Sequence, residues 1–226
     1  MPRDAAPTRE LLLDAGRRLF AEQGPFRVPL KQVVDAAGQR NTSALHYHFG
    51  GRDGLLAAII DEHNSPIEEE RRVLLDRIEA DGRSDDLPSL VTAVVVPFSR
   101  MLDDERGRQF LAVVAQLGDL FDRWNVPSDR TPEQALRAFR LIEASLDPAL
   151  SPDVRHERVT RFLELVTDAL GSRARLVSRG RRTPLATDAF VANLIDMAVG
   201  ALSAPSHAMV GPAARRGRTG PAAVTG

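Results

Sequence analysis

Cysteine is absent from the 226 residues, which excludes a disulfide framework and any thiolate metal or redox site. Long apolar runs are missing too. Stretches such as Leu90 to Phe98 fall well short of the roughly 20 residues a bilayer span needs. The first ten residues, MPRDAAPTRE, lack the apolar core of a secretory leader, so a soluble, cytoplasmic chain without membrane partners is expected. Lysine is almost missing: of 30 basic residues only Lys31 is one, a skew that more often records a GC-rich genome than any chemistry. Catalytic patterns are missing as well. No HExxH or GxSxG is present, and the glycines at 50, 51 and 54 neither follow a strand nor precede the lysine of a phosphate loop. His46 and His48 would diverge by about 200° on a helix and cannot share one ion. His63, His156 and His207 are isolated, and Glu68-Glu69-Glu70 reads as a solvated first turn. No enzyme activity, metal or cofactor is expected.

The length suits one large or two small domains with real cores. The net charge of −1 hides a gradient: +2 over residues 1–60, −6 over 61–210 and +3 over 211–226. A basic head on an acidic body fits a protein that presents one end to a polyanion, although +2 over 60 residues is also within ordinary scatter. Strand signals are scarce, because β-branched runs such as Val94-Val95-Val96 sit inside longer 3.6-residue patterns. An all-α fold follows. Thr8 is expected to cap the first helix, whose apolar stripe is Leu12, Ala15, Gly16, Leu19 and Phe20. A second helix runs from about Pro29 to Ala37 and closes on Gly38. A third is capped by Asn41 and ends at Phe49-Gly50-Gly51, and a fourth starts near Arg52. Ser65-Pro66 with Glu68 reads as a capping box opening a separate helix that closes at Gly82. Further helices are expected from Leu87 to Asp103 (kinked by Pro97), from Glu105 to Arg123, from Thr131-Pro132 to Asp147, and from Ser151-Pro152 to about Arg175. Thr187 is expected to cap the last, and residues 204–226 to be disordered.

Helices two and three, joined by a tight glycine turn, read as a helix-turn-helix. The outer face of the third carries Thr42, Ser43, His46 and Tyr47, hydroxyls and rings suited to base edges and phosphates, while Leu45, His48 and Phe49 face inward. The same spacing also suits a plain three-helix bundle with a solvated third helix, or a scaffold whose N-terminal module contacts protein.

Four blocks carry a family resemblance. Leu19-Phe20-Ala21-Glu22-Gln23-Gly24, Ala36-Ala37-Gly38, Leu45-His46-Tyr47-His48-Phe49 and Arg52-Asp53-Gly54-Leu55 stand in the order and spacing of the TetR family of bacterial transcriptional repressors. Residues 8–60 resemble its DNA-binding domain. The turn after Gly38 is one residue longer than the family's, His46 occupies its tyrosine slot with Tyr47 following, Val28-Pro29 replaces its hydroxyl cap, and Ser43 replaces a glycine.

The resemblance implies a regulator reading a palindromic operator in double-stranded DNA. Thr42 and Ser43 would meet bases or nearby phosphates, and His46 and Tyr47 the backbone. Arg40 would reach a phosphate or guanine edge, Arg52 a phosphate, and Lys31 and Gln32 the other strand. Asn41 caps the recognition helix, and Arg3 and Arg9 lie on an arm near the minor groove. It also implies a small-molecule effector pocket, for which Phe98, Met101, Phe110, Leu117, Phe121, Trp124 and Phe139 are the expected walls. A small DNA reader gains by pairing. The stripes Val159, Phe162, Leu163, Val166, Leu170 and Phe190, Leu194, Ile195, Ala198, Leu202 are expected to form a homodimeric four-helix interface. The expected organisation is an arm at 1–7, a reading domain at 8–51, an effector-binding and dimerisation domain at 52–203, and a tail at 204–226.

Overall fold

In the computed structural model, which describes residues 5–117 and 132–206, the architecture is all-helical, with nine α-helices and no strand among those residues. They are α1 (Ala5–Gln23), α2 (Leu30–Ala36), α3 (Ser43–Phe49), α4 (Arg52–Ala80), α5 (Leu87–Ser99), α6 (Glu105–Val114), α7 (Glu133–Ser145), α8 (Pro152–Ser178) and α9 (Thr187–Ser203). Short 3₁₀ turns at Arg100–Leu102 and Ala115–Leu117 extend α5 and α6. The expected stripe of α1 is buried throughout, and Leu45 of α3 is fully covered. Ser151 Oγ accepts from the backbone N–H of Val154 at 3.3 Å, the cap expected of α8. After α2, the N–H of Gly38 bonds the Asp35 carbonyl and that of Gln39 the Val34 carbonyl, both at 3.0 Å. This Schellman closure needs the positive φ of +67° that Gly38 supplies.

Several boundaries differ from expectation. The α1 helix starts ahead of Thr8, because Pro7 lies in the first turn, where its missing N–H costs nothing. Residues 5–7, assigned to an arm, are therefore helical, and Arg3 lies outside the described residues. The break at Ser65-Pro66 does not occur. One helix of 29 residues runs through, with Pro66 inside it. The proline removes one backbone bond, but Ile59, His63, Ile67, Arg71 and Leu75 continue a single buried edge across it. After Ser99, two residues beyond Pro97, the α-helical part of α5 gives way to the 3₁₀ turn. The α-helical part of α6 stops at Val114, well before Arg123. Thr187 is the first residue of α9 rather than its cap. Of the expected tail, 204–206 are non-helical and the remainder lies outside the described residues.

The head is α1–α3 closed by the first turns of α4. The body is built from α4 to α9, with α5 packed on α4, α7 and α9, and α8 on α6 and α9. One apolar cluster runs without interruption from Leu12 to Leu202. Head and body are joined by α4, which belongs to both, and by α6, which packs on α1 and on α8.

Candidate functional site

The surface expected to read DNA is α3 and the turn before it. Asn41 Oδ1 accepts from both the backbone N–H and the hydroxyl of Ser43, each at 2.9 Å, so the expected cap is present. Thr42, between them, already has helical angles (φ −64°, ψ −16°). Leu45 anchors the helix, and the other side points to solvent. Ser43, His46 and Tyr47 are exposed, Tyr47 by 82%, and Arg40 is exposed beside them. Thr42, His48 and Phe49 are half-buried. The angle of α3 is fixed where it meets α4: a Cβ on Gly54 would lie 1.8 Å from the Phe49 carbonyl oxygen, so only glycine permits this approach.

Not every expected contact residue has a free head group. Lys31 is exposed but paired with Asp35 at 2.8 Å, and Gln32 is half-buried. Arg52 is turned inward. It donates to the Pro25 carbonyl and lies 5.8 Å from the Phe20 ring centroid, fastening the loop after α1 to the start of α4. Arg9, expected on an arm, is part of α1 and sits over the Phe49 ring at 5.2 Å.

Inside the body a cavity of about 600 Å³ lies between α4, α5, α6, α7 and α8. Of the expected walls, Phe98, Phe110, Leu117 and Phe139 line it. Met101 does not. The 3₁₀ turn after Ser99 carries its backbone against Gly107 at the start of α6 instead. Phe121 and Trp124 lie outside the described residues. The polar lining was not anticipated: Asn64 and Arg71 from α4, Arg140 and Glu143 from α7, His156, Thr160 and Thr167 from α8. His156 and Glu143 approach to 3.9 Å. Arg71 is only 3% exposed. Its Nη1 donates to Glu68 Oε1, and Glu68 Oε2 accepts from the backbone N–H of Gln134 in the first turn of α7 at 2.7 Å. Its Nε is buried with no hydrogen-bond partner among the described residues. Burial pulls this guanidinium below arginine's ordinary pKa, an effect that Glu68 only partly offsets.

The cavity adjoins the head through consecutive residues. Phe110 lines the cavity and stacks on His63 of α4 (4.7 Å between centroids, 11° between planes). Their neighbours Gln109 and Glu62 both hold Arg17 of α1, which is 2% exposed, and Arg17 also pairs with Asp14. Arg106 of α6 adds contacts to Asp14 at 3.0 Å and to Glu62 at 3.4 Å. The His63 ring is held below its ordinary pKa, chiefly by burial.

The stripes expected to meet a partner subunit are largely consumed within the chain. Val159, Phe162, Val166, Leu170, Leu194, Ala198 and Leu202 are buried in its own core, and Val159, Leu163 and Val166 line the cavity. Leu163, Phe190 and Ile195 are half-buried, Phe190 beneath the Arg173 guanidinium at 5.0 Å. An i, i+4 stripe was the right sign of burial but could not say whose surface does the burying. The sides of α8 and α9 left open carry Ala169, Leu176, Ala192, Met197 and Ala201.

Among the described residues no helix is long and apolar enough to cross a membrane. No curated protein sequence matches the chain. Residues 12–59 match the family described as bacterial regulatory proteins, tetR family. Among solved structures the chain is similar to NalD, the secondary repressor of the MexAB-OprM multidrug efflux pump in Pseudomonas aeruginosa, at 20% identity. That match covers 89% of this chain and 98% of NalD, with a TM-score of 0.58. It is also similar to the probable transcriptional regulatory protein RHA5900, at 20% identity over 87% of this chain and 100% of the other, with a TM-score of 0.53. The likeness of fold extends through the body, well beyond the four sequence blocks. It is the head of this chain, over residues 12–59, that is similar to the tetR family of bacterial regulatory proteins.

Proposed function

We propose that this protein is a homodimeric transcriptional repressor that leaves its operator when a small apolar molecule occupies the cavity of its body. The observation that carries the reading is the double duty of α4 and α6. Phe110 forms cavity wall, while Gln109 beside it and Glu62 on α4 grip Arg17 of the head. A molecule seated against Phe110 therefore acts on the two elements that set the angle of the reading helix. Such a ligand shifts the equilibrium only by binding better to the conformation whose heads do not fit the operator. Pairing is supported by the small size of one reading helix. Two heads on one two-fold axis read two half-sites and multiply affinity and specificity.

On the DNA, Ser43, His46, Tyr47 and Arg40 are the contacts this reading favours, with Asn41 and Gly54 holding α3 in place. Thr42 sits at the rim of the surface, and Lys31 reaches DNA only by giving up Asp35. Arg52 acts by positioning, through Pro25, rather than by meeting a phosphate with a free head group.

The test is fluorescence anisotropy of the protein with DNA from upstream of its own gene, across a salt series. Operator binding that is two-fold symmetric, salt-dependent and weakened by Tyr47→Ala supports the reading. Equal affinity for all duplexes, or an operator complex that no apolar compound releases, defeats it.

A further inference from the structure

The cavity is graded in polarity from its inner end to its rim. The inner end is aromatic and buried: Phe110 is 1% exposed, stacks on His63 and meets the Phe98 ring at 5.7 Å. Along α8 the lining passes from buried Val166 and Thr167 through half-buried Leu163 to exposed His156. Exposed Arg140 and half-buried Glu143, one turn apart on α7, stand at that same rim, Glu143 3.9 Å from His156. A charged rim on an apolar interior suits an amphiphile that enters tail first and leaves its head in water.

The pairs already made within the chain select the head. Arg71 is matched by Glu68. Glu143 faces Nδ1 of His156, which can present an N–H to it whether the ring is neutral or charged. Arg140 is different. Its Nε donates to the Leu136 carbonyl at 3.2 Å, and neither Nη has a partner among the described residues. The two Nη groups form the planar fork that a carboxylate fills with parallel hydrogen bonds. An ammonium head would have to displace His156 from Glu143 and would meet Arg140 as a like charge. An uncharged head would leave the guanidinium's charge unmatched.

We infer that the cavity takes an amphiphile with one carboxylate head, held by the Arg140 Nη groups at the rim while its hydrocarbon lies against Phe139, Leu163 and Phe110. This deepens the effector reading given above and rests on it: the molecule is apolar along its length and charged at one end.

The test uses three probes of matched length with the full chain in isothermal titration calorimetry: decanoate, 2-undecanone and decylammonium. Arg140→Gln is expected to weaken decanoate about fivefold, the upper range for a solvent-exposed ion pair. The same change should leave the ketone within about twofold and strengthen decylammonium. Glu143→Gln should weaken decylammonium and spare decanoate. Raising NaCl from about 0.05 M to about 0.5 M should weaken decanoate for the unaltered chain and leave it unmoved for Arg140→Gln. Phe139→Ala, on the hydrocarbon side, should weaken all three probes together, with far-UV circular dichroism confirming each fold. Decanoate that fails to bind, that binds Arg140→Gln undiminished, or that loses no more than the ketone overturns the inference. Decylammonium binding tighter than decanoate overturns it as well. Release of operator DNA is read separately. Decanoate binding that depends on Arg140 but leaves the DNA complex intact upholds the recognition of the head and defeats the regulatory reading. Release by decanoate and ketone alike, unaffected by Arg140→Gln, upholds the regulatory reading and defeats this inference.

Discussion

Tyr47 and Arg17 illustrate two opposite uses of a polar side chain. Tyr47 is almost wholly in solvent, its ring edge-on to that of His48 at 5.1 Å, a contact that phenylalanine keeps, so Tyr47→Phe should leave the urea midpoint unchanged. Loss of its hydroxyl is expected to weaken operator binding by about tenfold or more, the worth of one hydrogen bond to a charged phosphate oxygen. Arg17 is buried and gripped by Asp14, Glu62 and Gln109. Replacing it by alanine is expected to cost about 2 kcal/mol in chemical denaturation, because Asp14 and Glu62 lose their buried counter-ion and keep only the exposed Arg106. His63 brings a pH dependence. Unfolded, its ring titrates near the ordinary value of about 6.5; folded, burial holds it lower, against the opposing pull of Glu62, Asp104 and the Ile59 carbonyl. Between those two values the unfolded chain binds more protons, so stability rises with pH across that window and is fully present above about 6.5. It is lost as the pH falls through 6.5 toward the folded value. Urea midpoints measured from about pH 5 to 7.5 should show this slope, and His63→Phe, which keeps a ring against Phe110, should reduce it. The pairing of His63 with Phe110 was not legible in the sequence, because the two stand 47 positions apart and meet only through the packing of α4 on α6. The outward face of α3 was legible, since Leu45 fixes which side is buried and the 3.6-residue period does the rest.

At the scale of elements, prolines were the least reliable signposts. Ser151-Pro152 marks a helix start, with the serine hydroxyl in its capping bond, whereas Ser65-Pro66 has the same appearance and lies in mid-helix. What separates them is the flanking pattern. Ile59, His63, Ile67, Arg71 and Leu75 recur every four residues across Pro66, and that continuity outweighs one lost bond. Arg71 hid the pattern, because an arginine is an improbable buried residue. The proline still weakens α4, so Pro66→Ala should raise stability by about 1–2 kcal/mol, the helix-interior penalty less the proline's restraint of the unfolded chain. Thermal denaturation would show it as a higher midpoint, and a lower one would mean that the bend at Pro66 is required by the packing around it. The joint between α3 and α4 is less tolerant. A methyl group at Gly54 overlaps the Phe49 carbonyl, so Gly54→Ala must push the two helices apart. Operator affinity should then fall at least tenfold in a gel shift. Retention of full affinity would show that the angle of α3 is not set at this joint.

At the scale of the whole molecule, the helical layout was written in its caps and periodicity, but the assignment of α8 and α9 to a partner was not. Both helices have more apolar surface than one neighbour can cover. Their most strongly patterned sides close the core and the cavity, leaving a shallower face of small residues with Leu176 and Met197 outermost. On α9 Ala201 lies one turn after Met197 on that face, and its short side chain permits close approach of a second copy. If this is where two chains meet, a charge at its centre must be desolvated without a counter-ion on forming the dimer, a penalty of several kcal/mol counted on both copies. Met197 is 53% exposed in the single chain, so Met197→Asp should leave the fold intact. The expected outcome in sedimentation velocity is a dimer for the unaltered chain at micromolar concentration and a monomer for the variant. On the proposed function each head meets half of a palindrome, so the monomer should also lose at least a hundredfold in operator affinity while keeping its affinity for an apolar ligand. A variant that remains dimeric would place the contact elsewhere. One that becomes monomeric yet binds the operator undiminished would mean that a single α3 carries the recognition.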